Sequence, residues 1–383
     1  MYSVYQHWDP LKVCMVGQSY PPEFYSFIAN SRVRTVMERI AQETEEDYQK
    51  LIKLLESFGV EVLRPNIESL DYRDYLYKHN TISRPPMTPR DYSAMIGTTF
   101  YVDDDNFSRQ YIDRDKWQIW RGDNWPQDPP NSQDEFNRLP QDIKDEIIKF
   151  QPDLNSTIKS VWASSIEKIK RTNDVVLNKG INSAMVSRIG RDLYFGTPDS
   201  GLDLIALEKE YSTIFPDHRC HIVDTKGHSD GTYCPVKPGL IVSLKDIPTY
   251  AETYPDWEVV YLPGQSWDRV QEFLTLKEKN SGKWWVPGEE LNNEFTEFVE
   301  SWLSHWVGYV EETVFDVNML VIDQNNVICN NYNKQVFDAF SRHNITAHVV
   351  NFRHRYFWDG GLHCITSDIH RQGVMQDYFP ERG

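Results

Sequence analysis

The sequence has little cysteine: five residues in 383, irregularly spaced. An odd number in so long a chain argues against a disulfide framework and for free thiols in a reducing compartment. Basic excess is also missing, since 40 Lys and Arg stand against 57 Asp and Glu for a formal charge of −17. That excludes nucleic acid and anionic membranes as first-choice partners, because both are held by a basic face. No apolar run reaches membrane length, and no basic start leads into an apolar stretch at the N-terminus. The expectation is a soluble cytoplasmic protein without a membrane partner, acting on neutral or cationic small molecules. What is present is core material: 40% hydrophobic and 13% aromatic residues exclude disorder and suffice for one elaborate domain or two ordinary ones.

Periodicity divides the chain into short strands and fewer helices. Leu11 to Val16 reads as a strand after Asp9-Pro10, Val33 to Ser57 as a helix closed by Gly59, and Val60 to Leu63 as a strand. Ser93 to Val102 reads as two strands about Gly97. From Asn106 to Lys170 the pattern degrades into polar, tryptophan- and proline-bearing sequence with one helix near Asp142 to Phe150, an irregular insertion at about 106–170. Regularity returns with strands at Ala184 to Ile189 and Asp192 to Phe195, a helix at Leu202 to Ile214 and a strand at Cys220 to Val223. Strands follow at Leu240 to Leu244 and Val259 to Leu262. A hairpin over Asn318 to Ile322 and Val327 to Cys329, a helix at Lys334 to His343 and a strand at Thr346 to Val350 complete the pattern. The order strand, strand, helix, strand is clean twice, at 184–223 and 318–350. Units unable to bury their faces alone suggest an α/β array sharing one core.

Candidate chemistry gathers near the C-terminus. In Trp358-Asp359-Gly360-Gly361-Leu362-His363-Cys364-Ile365-Thr366, two glycines allow a close backbone approach, and a thiol precedes a β-branched run suited to a strand. Gly227-His228-Ser229-Asp230-Gly231 places a histidine and a carboxylate two apart, on one side of an extended backbone. Each also has a bland reading: a core cysteine beside a glycine turn, a histidine bonding a turn carbonyl, and, for Asp91 in Pro89-Arg90-Asp91, a surface turn residue.

Together these motifs resemble, in order and spacing, the arginine:glycine amidinotransferases of the guanidino-modifying enzyme superfamily. The likeness rests on Trp8-Asp9-Pro10-Leu11, Pro89-Arg90-Asp91, Gly190-Arg191-Asp192, His228-Ser229-Asp230-Gly231-Thr232 with Pro238-Gly239, Asn318, Gly361 to Thr366 and Arg371-Gln372-Gly373. It implies a pentein-like α/β propeller: five ββαβ modules about a pseudo-fivefold axis, forming a single catalytic domain over 1–383. It further implies transfer of an amidino group from arginine or a similar guanidino donor to an amine acceptor, with Cys364 as nucleophile and His228 as acid. Asp91 and Asp230 would grip the guanidinium, and Asn318, Gly361 and His363 would complete the substrate site. No cofactor is required, and a homodimer is compatible with the resemblance. The physics agrees: a guanidinium stays cationic and resonance-stabilised, so opening it takes carboxylates, a strong nucleophile and an acid for the departing amine.

Three positions depart from the family pattern. Asn182, in Ile181-Asn182-Ser183-Ala184-Met185, and Met185 stand where relatives carry acidic or polar residues, so Asn182 is the candidate to orient His228 without a charge. The arginine expected for the donor's carboxylate is missing, with Lys245 the nearest cation. Glu311-Glu312 replace small polar residues. The competing readings are an arginine deiminase-like guanidino hydrolase, a binding protein that has lost turnover, and a zinc site from Cys220, His221, His228 and Cys234, whose spacing fits no closed finger.

Overall fold

The computed structural model describes residues 1–67, 85–103, 138–142, 144, 161–178, 181–197, 203–225, 227–244, 250–262, 284–303, 307, 317–358 and 360–382. Strand β1 (Leu11–Val16) leads to helix α1 (Ser31–Ser57) and β2 (Glu61–Leu63). Asn30 starts α1 by accepting from the Arg32 and Val33 amides at 3.0 and 3.3 Å. Val33, Val36, Met37, Ile40, Tyr48, Leu51 and Leu55 form its buried stripe. Gly59 ends it in the left-handed region (φ +72°), letting the Val60 amide reach back to the Leu55 carbonyl at 3.1 Å.

The same unit then recurs. Strands β3 (Ser93–Ile96) and β4 (Thr99–Asp103) are followed by α2 (Ala163–Lys170) and β5 (Asp174–Asn178). Next come β6 (Val186–Ile189), β7 (Asp192–Gly196), α3 (Leu204–Ile214) and β8 (Arg219–Val223). The fourth unit is β9 (Tyr233–Lys237), β10 (Leu240–Ser243), the single turn α4 (Tyr250–Thr253) and β11 (Glu258–Tyr261). After α5 (Asn293–Trp302), the fifth is β12 (Leu320–Asp323), β13 (Asn326–Cys329), α6 (Lys334–Arg342) and β14 (Thr346–Val349). The single turn α7 (Arg355–Trp358), strand β15 (Thr366–Arg371) and a 3-10 turn at Pro380–Arg382 follow.

All five sheets have three strands, the middle one antiparallel to its predecessor and parallel to its successor. In the first, β15 takes the predecessor's place: it pairs antiparallel with β1, Val16 against Thr366, while β1 pairs parallel with β2. This is the five-module pentein architecture, and the unit legible twice in the sequence occurs five times. Two strands escaped the sequence pattern. β9 carries Pro235, which lacks an amide donor; it is tolerated because β9 bonds only to β10. β5 and α2 adjoin the irregular stretch, so the last part of 106–170 is a regular helix feeding a strand. Most of the remainder of that stretch, including most of the helix expected near 142–150, lies outside the described residues.

At the centre, Asp368 on β15 receives three guanidinium groups: Arg188 Nη2 at 2.7 and 2.9 Å, Arg371 Nε at 2.6 Å and Arg90 Nη2 at 3.2 Å. All four side chains are buried. Arg188 also bonds the Met95 carbonyl of β3 and Arg371 that of Val321 on β12, so the first strands of four modules meet at one carboxylate. Burial alone would raise the Asp368 carboxyl, but Arg188, Arg371 and Arg90 outweigh it and hold the group well below the usual range. No described helix is long and apolar enough to cross a membrane.

Candidate active site

Cys364 lies two residues before β15, in a turn over 362–365, and is 3% exposed. Arg90 bonds the carbonyls on either side of it, with Nε 2.8 Å from both His363 O and Thr366 O. Arg90 belongs to the 3-10 turn Pro89–Asp91, so the half-buried Asp91 next to it is stapled to the thiol's turn through its neighbour. The sequence motif named Arg90 without a role; its burial and these two bonds supply one.

The other arm of the site is the 3-10 turn Ser229–Gly231 that precedes β9. Its Asp230 is buried and Oδ2 accepts from His363 Nδ1 at 2.8 Å, while the Cys364 thiol reaches the same oxygen at 3.6 Å. Burial, reinforced by the Arg90 charge, pushes the His363 imidazole well below its usual range. The contact is therefore a neutral ring donating Nδ1–H to a carboxylate, and His363 braces Asp230. His228 caps this turn, half-buried, with its carbonyl accepting the Gly231 amide at 3.2 Å.

Asn318 joins the two arms from just before β12. Its Oδ1 accepts the His363 and Cys364 amides at 2.8 and 3.1 Å; its Nδ2 lies 3.0 Å from Cys364 Sγ and 3.4 Å from Asp230 Oδ2. The glycine pair now has a specific reason: a Cβ on Gly361 would stand 2.5 Å from Asn318 Oδ1. Gly361 makes room for that amide, whereas a Cβ on Gly360 would meet only ordinary contacts, the nearest at 3.4 Å. Asn330, absent from the sequence reading, holds this assembly by donating to Asn318 O at 2.9 Å and accepting the Leu362 amide at 3.2 Å. Nothing in the run of asparagines around it marks it out beforehand.

Asn182 is engaged with its own backbone turn rather than hydrogen-bonded to His228. Its Oδ1 accepts the Met185 amide at 3.1 Å and shapes the turn over 183–185, and among the described residues no hydrogen bond joins it to His228. A short polar side chain bonding its own backbone a few residues on is the competing use of asparagine that the sequence could not discount. The segment does adjoin the right loop: Ala184 O accepts the Asp230 amide at 3.3 Å and Met185 O the Ser229 hydroxyl at 2.9 Å. Lys245 and Glu311-Glu312 lie outside the described residues. Among the described residues no group of three or more metal-ligating side chains is gathered. Cys220 and Cys234 sit on different strands, their thiols pushed up to about 12 by burial.

No family model matches the chain. Curated proteins and solved structures do. The mitochondrial glycine amidinotransferase of Xenopus tropicalis is 22% identical over 402 residues, covering 98% of this chain and 84% of its own length. A putative inosamine-phosphate amidinotransferase of Streptomyces griseus is 21% identical over 401 residues, 98% of each chain. Among solved structures, an inosamine-phosphate amidinotransferase from Streptomyces griseus superposes with a TM-score of 0.61 at 16% identity, over 99% of both chains. The protein has the amidinotransferase fold. An amidinotransferase of saxitoxin biosynthesis from Microseira wollei gives 0.60 at 14% identity, again over 99% of both chains. The resemblance is thus full-length in sequence and in structure, and includes the elements that bring Cys364, Asp230 and Asn318 together.

Proposed function

We propose that this protein is an amidinotransferase that takes the amidino group from arginine or a similar guanidino donor and passes it to an amine acceptor through an amidino-cysteine intermediate. The observation that carries the reading is the meeting of the Cys364 thiol with the braced carboxylate of Asp230 on an amidinotransferase fold. Asp230 and Asp91 grip the donor's N–H groups by charge-assisted hydrogen bonds. Cys364, as thiolate, adds to the guanidino carbon; the carbon–nitrogen bond to the donor's side chain then breaks as that nitrogen takes a proton from His228. In the second half the acceptor amine attacks the same carbon, returns a proton to His228, and the carbon–sulfur bond breaks to release the thiolate. Relatives differ in acceptor, as the names glycine and inosamine-phosphate amidinotransferase state.

A single catalytic domain, a cytoplasmic setting and a homodimer complete the reading. Free thiols in all five cysteines support the second of these. The test is incubation with arginine labelled at the guanidino carbon, alone and with panels of primary amines, followed by mass spectrometry. The expected result is a labelled Cys364 peptide and label carried onto an amine, both lost in Cys364→Ser. Label appearing in urea or citrulline at the same rate with and without amines would overturn transfer in favour of hydrolysis.

A further inference from the structure

Asn318 is positioned by more than its sequence neighbourhood. The two groups facing its Oδ1 are backbone amides, which only donate, so that atom is the oxygen and the amide is fixed in one orientation. The atom facing the sulfur is therefore the NH2 group, at 3.0 Å. Gly361 closes the remaining freedom, because the space a Cβ would take is filled by the same carboxamide. The side chain is buried and its carbonyl is tied to Asn330. This leaves its NH2 turned to the sulfur and to Asp230.

We propose that Asn318 is a catalytic residue that stabilises the anionic sulfur of Cys364 by donating Nδ2–H to it, while its oxygen holds the turn that presents the thiol. The inference rests on Cys364 being the nucleophile of the proposed reaction. An amide is the donor the geometry requires. The sulfur lies 3.6 Å from the Asp230 carboxylate, which opposes a second negative charge. A lysine or arginine at this place would offset that charge but would also occupy Asp230, the group meant to receive the cationic substrate. A neutral donor favours the thiolate and leaves the carboxylate available.

The test reads the thiol and needs no substrate: the pH dependence of Cys364 alkylation by iodoacetamide, followed on the Cys364 peptide by mass spectrometry. Asn318→Asp keeps an oxygen for the two amides and removes the donor. Its alkylation midpoint is expected to rise by about one pH unit or more, slowing alkylation at neutral pH about tenfold. Asn318→Ser, which removes the whole carboxamide, and Gly361→Ala, which displaces the amide without deleting it, should move the midpoint the same way. An unchanged midpoint in any of the three with native circular dichroism overturns the proposal. The two readings fail separately: absent amidino transfer in a wild-type protein whose thiol titration depends on Asn318 overturns only the proposed function.

Discussion

The side chains around Cys364 divide their polar groups with little redundancy, and Asn182 shows how that decides the outcome of a substitution. Its oxygen is used by the Met185 amide. Asn182→Asp offers the same oxygen, so the pH–rate profile should stay within experimental error of wild type. Asn182→Ala removes the turn bond and should cost about 1 kcal/mol, read as a lower denaturation midpoint. A profile shifted to higher pH by the aspartate would mean that the residue faces His228 after all. The sequence made Cys364, Asp230 and Asn318 legible because each sits in a short motif. The contacts that Gly361, Asn318 and His363 make with one another and with Cys364 were not legible, because a motif records which residue types recur and not which of them touch one another.

At the scale of elements, the turn bearing the nucleophile is anchored by α1. Asp47, fully buried on that helix, accepts from the Arg353 amide at 2.8 Å and from its Nε at 3.0 Å; Thr44 accepts from Trp358 Nε1 at 2.8 Å. The segment 353–358 is thereby held just before Gly360. Asp47→Ala should destabilise the protein by about 2 kcal/mol, below the usual cost of breaking a buried pair because Arg353 is partly exposed and regains water. Turnover should fall with no change in the alkylation midpoint of Cys364, measured by the same peptide assay, since this anchor touches neither Asn318 nor Asp230. α1 was legible from its apolar stripe and Gly59. The tie to 353–358 was not, because it joins residues some three hundred positions apart and no local pattern encodes it.

For the whole molecule, the carboxylate of Asp368 is the junction of four modules. Asp368→Asn leaves three guanidinium groups crowded together without their counter-charge and should cost about 3–5 kcal/mol, enough to lower the soluble yield. Near-normal thermal stability in that variant would show the arginines to be compensated elsewhere. Acid should also loosen the centre. Burial drives the imidazoles of His7 and His363 well below 6.5, and His7 Nε2 accepts the Arg188 amide at 3.1 Å, a role only the neutral ring can fill. The unfolded chain binds these protons below about pH 6.5 and the folded chain does not, so stability should fall as pH drops below that value. Urea melts from pH 7.5 to 5 would show it, and a flat midpoint across that range would contradict it. The fivefold plan was visible in only two units because the other three hide their signature. One has a proline in its first strand, one runs through an irregular stretch, and one is split between the two ends of the chain.

That split unit has a consequence for biosynthesis. β1 is made well before its antiparallel partner β15, and Leu11 waits for Arg371 while the strands between them are translated. Until then one flank of β1 is an open strand edge, a template for other nascent chains as much as for its own. The turn carrying Cys364 can take its final shape only in the same step, so the nucleophile is assembled by the event that completes the first sheet. A chain released before β15 is made should be inactive and should accumulate as aggregate.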